Sequence, residues 1–141
     1  MSTATTATRA TPRTAALLVL AGVVASAFAT TALWLVSLAL GIGDGFAPLQ
    51  PPAFLTFATI GTLAGIGGWV LIARRARTAT RALRVLVPAL VVLSLVPDVI
   101  LLVVPFIPGS TPGAVVMLML MHPVVATVAV LVGRRIAPPL G

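Results

Sequence analysis

Four apolar runs leave this chain few ways to fold, because each is close to the roughly 20 residues that a helix rising about 1.5 Å per residue needs to cross about 30 Å of hydrocarbon. They lie at about residues 14–40, 53–73, 85–107 and 113–133. Inside a bilayer every backbone N–H and C=O must be bonded internally, and a helix does this within each segment. The expected fold is all-α: a polytopic membrane protein, an antiparallel bundle of four transmembrane helices forming one domain at about residues 14–135. Composition points the same way. With 60% hydrophobic and 8% charged residues and a mean hydropathy of +1.20, the chain is far from the roughly 25% charged residues of a soluble domain.

The connections differ in kind. GIGDGFAPLQPP and PGSTP are rich in glycine and proline, whereas RRARTATRALR is basic. The net charge of +7 comes from nine arginines and no lysine against Asp44 and Asp98. Arg9 and Arg13 precede the first run; Arg74, Arg75, Arg77, Arg81 and Arg84 lie between the second and third; Arg134 and Arg135 follow the fourth. In an up-and-down bundle all nine fall on one side, and the positive-inside rule makes that side cytoplasmic together with both termini. The central basic segment reads as a loop that sets topology, with contact to lipid headgroups as the alternative. Residues 1–13, rich in Thr and Ala, read as a disordered cytoplasmic tail, and residues 136–141 as a second short one. ASAFA in the first run imitates the cleavage site of a secretory signal, but hydrophobicity continues to Leu40, well past a signal's usual end.

Two ionisable residues fall inside the runs. Asp98 lies twelve residues before Ser110, near the middle of the second outer turn, and His122 twelve after it. In an antiparallel hairpin equal offsets mean equal depth, here close to the bilayer midplane. Thr30, Thr31, Thr59, Thr62 and Ser94 supply a polar layer around the same level. Pro97 and Pro123 adjoin the acid and the base, so each removes a backbone hydrogen bond within a turn of its neighbour and introduces a kink. Small residues mark helix contacts in lipid. By that criterion Gly61, Gly65 and Gly68 form a packing ridge, Ala21, Ala25 and Ala29 a stripe on the first helix, and His122 shares a face with Ala126, Ala129 and Gly133. The ridge reads as packing within the bundle, with a dimer contact as the alternative. Trp69 reads as an interfacial anchor.

Two functional readings remain open for the pair. A carboxylate and an imidazole in a dry layer can exchange protons, or they can lock two helices together. Metal binding is not expected: Met117, Met119 and Met121 beside His122 look like a soft-metal string, but alternate residues on a helix point to different faces. The chain has no cysteine, and one histidine with one buried acid falls short of the ligands typical of catalytic zinc. No P-loop, GxSxG or GxGxxG is present, so neither an enzyme nor a cofactor is expected. The arginines flank apolar runs, which argues against nucleic acid as a partner. The expected partners are the lipid bilayer and, as options, a second copy of the chain or a larger membrane complex.

LSLVPDVILL in the third run and VVMLMLMHPVVATVAVLVGRR in the fourth, around an arginine-rich centre, resemble a family of small four-helix membrane proteins common in high-GC Gram-positive bacteria, a domain of unknown function. The resemblance covers most of the chain and implies Pro97, Asp98, Met121 and His122 as signature positions. Pro123 departs from the aliphatic residue more usual after the histidine. The resemblance implies a bacterial inner membrane and no particular activity; the lysine-free, Ala- and Arg-rich composition fits a GC-rich genome. The expected function is therefore that of a structural or accessory membrane subunit fastened by Asp98 and His122, with a small proton-coupled transporter or channel as the alternative.

The topology can be tested on this cysteine-free chain with single cysteines at Ser110 and Thr78. A membrane-impermeant maleimide should label Ser110→Cys in intact cells and Thr78→Cys only after permeabilisation. The opposite pattern would invert the assignment.

Overall fold

A computed structural model describes residues 10–139. It contains α1 (Pro12–Ala39), α2 (Pro51–Arg75), α3 (Ala79–Ser94), α4 (Val96–Val103) and α5 (Pro112–Ile136), with a short 3-10 turn at Ala47–Leu49 and no strand among the described residues. Four spans are long and apolar enough to cross a membrane, α3 and α4 together making the third. The fold is the four-helix bundle the apolar runs require.

Local chemistry sets the ends. Thr11 and Thr111 cap α1 and α5, each hydroxyl accepting from the backbone N–H three residues on, at 3.3 and 3.2 Å. Proline opens α1, α2 and α5, where its missing N–H costs nothing. Arg74, Arg75, Arg134 and Arg135 occupy last turns, where cations favour the helix dipole. The basic segment expected as a loop is mostly helical instead. Arg81 and Arg84 belong to α3, and only Ala76, Arg77 and Thr78 connect it to α2. Short connections suffice because helices tolerate arginine well. The eight arginines from Arg13 to Arg135 are all exposed; Arg9 and the first part of the expected tail lie outside the described residues.

Three helices make the core. α1, α2 and α5 pack mutually, and close approach depends on glycine: a Cβ at Gly65 would lie 2.7 Å from the Ala129 Cβ, and one at Gly22 3.0 Å from Val132. The buried face of α1 is Gly22, Ser26, Thr30 and Ser37, one position off the expected stripe; Ala21 and Ala25 are exposed and Ala29 is half-buried. Alanine suits lipid and helix contacts alike, so its spacing did not identify the packed face. Trp69, expected at the interface, is buried instead. Its ring covers Gly133, and its indole N–H donates to the Ala137 carbonyl at 3.1 Å. Ile136 and Ala137, the first two residues of the expected 136–141 tail, are buried as well and pack against the bundle.

The end of the bundle opposite the arginines is closed by a loop. Gly41, Gly43 and Gly45 adopt positive φ, a conformation glycine reaches without strain. They fold the connection so that Phe46 and Leu49 are almost wholly buried against Phe54, Ala114 and Val115. Asp44 sits in the exposed part of this turn.

The third span is the least buried of the four. It breaks at Leu95, so Pro97 falls in the first turn of α4 and interrupts the span where a kink was expected. Two contacts pin it. Leu83 joins Trp69, Ala73 and Ala137 at the basic end, and Leu101 joins the Phe54 and Met121 cluster towards the opposite end.

Glycine packing predicts an asymmetric response to a single methyl. Gly133→Ala pushes against Trp69 and should cost about 1–3 kcal/mol in thermal unfolding, while Gly67→Ala, with nothing within 4 Å, should not destabilise. Equal melting of the two variants would contradict the packing.

Candidate functional site

Between its two pins the third span stands away from α2 and α5. The gap is a cleft of about 730 Å³ lined by α2, both parts of the third span and α5. Its floor is glycine: Gly61, Gly65 and Gly68 line it, the first two also touching Val125 and Ala129 of α5. The ridge thus packs within the monomer over part of its length. At Gly68 it opens, since an added Cβ would meet nothing within 4 Å. The lining is overwhelmingly apolar, and Leu86 and Leu90 of α3 are exposed along it.

Asp98 and His122 sit on the wall of this cleft. Asp98 lies in the first turn of α4, where an acid complements the helix dipole, and only 8% of its side chain is exposed. His122 projects from the middle of α5 with 30% of its side chain exposed. The Asp98 Oδ2 and His122 Nδ1 atoms are 3.5 Å apart, within ion-pair range. Yet Nδ1 is also 3.1 Å from the Leu118 carbonyl. A carbonyl only accepts, so that bond places the ring proton on Nδ1 and directs it along the histidine's own helix. Asp98 Oδ2 consequently accepts no hydrogen bond from any described residue. The two side chains thus approach without a hydrogen bond between them, and Oδ2, the oxygen nearest the imidazole, is the unpartnered one.

Of the five polar residues that the spacing grouped into one layer, Thr30 and Thr62 join an interhelical seam, while Thr31, Thr59 and Ser94 do not. Thr62 of α2 donates to Ser26 Oγ of α1 at 2.7 Å, and Thr30 donates to the Ser26 carbonyl at 2.8 Å; all three are fully buried. This is a hydrogen-bonded seam inside the three-helix core. Ser26 was not singled out by sequence, although the reasoning applied to Thr30 four residues on applies equally to it. Thr59 and Ser94 bond within their own helices, to the Leu55 and Val91 carbonyls. Thr31 is half-buried and makes no side-chain hydrogen bond among the described residues. The carbonyls freed by the prolines were the expected acceptors near the pair; His122 instead uses Leu118, one residue before the Met119 carbonyl released by Pro123. α5 remains one continuous helix through Pro123. Met117 and Met121 are buried in the apolar cluster with Phe54 and Leu101, and Met119 packs against it half-buried.

Four apolar spans around a polar seam, with an acid and a base deep in the third and fourth, define a small multi-pass membrane protein of the helical-bundle class. The chain belongs to the family of unknown function DUF6069, whose model matches residues 8–138. No curated protein and no solved structure matches it.

Proposed function

We propose that this chain is a structural or accessory membrane protein without catalytic activity, in which the Asp98 and His122 pair fastens the third span to the three-helix core. The observation that carries this reading is the 3.5 Å approach of the two side chains across the one span that packs loosely between its ends. Leu83 and Leu101 hold that span by apolar contact, which in lipid gains little over contact with acyl chains. An electrostatic contact in a low-dielectric layer supplies what apolar packing there does not.

The remaining polar groups of the cleft favour fastening over a proton relay. Thr30, Ser94 and Trp69 line it, but each already donates its proton to a backbone carbonyl. A relay needs a chain of groups free to accept and pass on a proton, and these three are committed.

The arginine distribution supports a location in a bacterial inner membrane with both termini in the cytoplasm. Large apolar side chains face outward from every span, including Phe28, Phe57, Leu90 and Leu131, which fits acyl chains as the principal partner. The same surfaces leave room for a second copy of the chain or a larger membrane complex, and offer nothing suited to nucleic acid.

Reconstitution in liposomes tests the reading. Wild-type protein should show no pH-driven proton or solute flux, while Asp98→Asn and His122→Ala should each melt several degrees lower than wild type. A flux present in wild type and absent from both variants, with their stability unchanged, would replace fastening by a relay.

A further inference from the structure

Asp98 finds no hydrogen-bond donor among the described residues: Oδ2 is buried beside His122 Nδ1 without one, and the side chain lines the cleft. A carboxylate oxygen buried away from water without a hydrogen bond is costly, and the cost is offset when a donor or a cation arrives. His122 does not fill the role, because its Nδ1 proton is turned to Leu118. Among the residues that line the cleft Asp98 is the only acid and none is arginine, so His122 is the one basic side chain beside it. Charge complementarity therefore selects a positive guest over a negative one.

Shape narrows the guest further. A volume of about 730 Å³ falls within the range of small-molecule pockets, roughly 300–1,000 Å³. The glycine floor keeps the cleft open at Gly68, and the walls are apolar, chiefly leucine, valine, isoleucine, phenylalanine and alanine. Such a lining desolvates a hydrocarbon body and leaves one place for one charge. An ammonium with N–H groups meets the carboxylate as a charge-assisted donor, which a neutral hydroxyl does only more weakly.

We propose that this cleft binds an apolar molecule carrying a single ammonium group, with the cation seated against Asp98 and the hydrocarbon lying over the glycine floor between α2 and α3. The guest enters sideways from the membrane, past the exposed Leu86 and Leu90. The inference does not depend on the pair's fastening role: a weak fastening would leave the free carboxylate and the cleft in place.

His122 is the chain's single histidine, which makes it a reporter beside the proposed cation site. With isotope-labelled histidine, the protein in zwitterionic micelles at fixed pH is titrated with dodecylammonium and, separately, with dodecanol. The His122 ring resonances should shift saturably with dodecylammonium at about a tenfold lower concentration than with dodecanol. Asp98→Asn should abolish that preference. Gly68→Leu, which fills the cleft from its floor and leaves the acid and base in place, should abolish the saturable shift. Equal responses to amine and alcohol in wild type would make the cleft a plain hydrocarbon groove and overturn the proposal. So would a preference for the amine that survives Asp98→Asn. Should that variant fail to fold, the Gly68→Leu titration decides, and an amine-selective shift that survives it would overturn the proposal equally.

Discussion

Close approach of α2 and α5 through glycine is the constraint from which the rest of the structure follows. In lipid there is no water to drive apolar faces together, so helix association depends on van der Waals fit and on interhelical hydrogen bonds. Gly65 against Ala129 and Gly133 beneath Trp69 bring the two backbones near enough for both. Gly22 lets α1 join them, and the Thr62 to Ser26 bond fixes α1 on α2. The third span carries no comparable run of small residues facing the core. It is held at its ends by Leu83 and Leu101, and an open cleft is the consequence.

The same geometry explains why the acid and the base occupy that place. A charge in the middle of a membrane survives only beside a partner or a polar cavity. Asp98 stands where the third span returns to the core, in the first turn of α4, within reach of His122 and at the edge of the open space. The break at Leu95 is what turns the carboxylate inward: Pro97 cannot continue α3 with an intact ladder, and α4 restarts with its acid three positions after the junction. One oxygen sits near the imidazole and accepts no hydrogen bond.

Much of the architecture was legible in the sequence, for definite reasons. Span number follows from the length of the apolar runs, since hydrocarbon thickness is a fixed ruler. The family resemblance rested on LSLVPDVILL and the Met-His segment, and membership follows from a match over residues 8–138. Rotation about a helix axis was harder to read. Ala21 and Ala25 look as suited to packing as Gly22 and Ser26, and only the Thr62 partner on another helix distinguishes them. Phe46 and Leu49 lie in a segment whose glycines and prolines announce a loop; that they plug the end opposite the arginines depends on positive-φ turns bringing them back onto α5. Trp69 looked like an interfacial anchor because aromatic residues near a span's end usually are. Its burial depends on Gly133, far along the chain, having no side chain to obstruct it.

The central claim is that Asp98 and His122 act on each other to hold the third span. A double-mutant cycle on thermal or denaturant unfolding, using wild type, Asp98→Asn, His122→Ala and the double variant in one membrane mimetic, measures that interaction directly. The account predicts a favourable coupling of about 0.6–1.7 kcal/mol, the scale found for polar contacts between membrane helices. Additive losses, with a coupling indistinguishable from zero, would contradict it and leave the third span held by Leu83 and Leu101 alone.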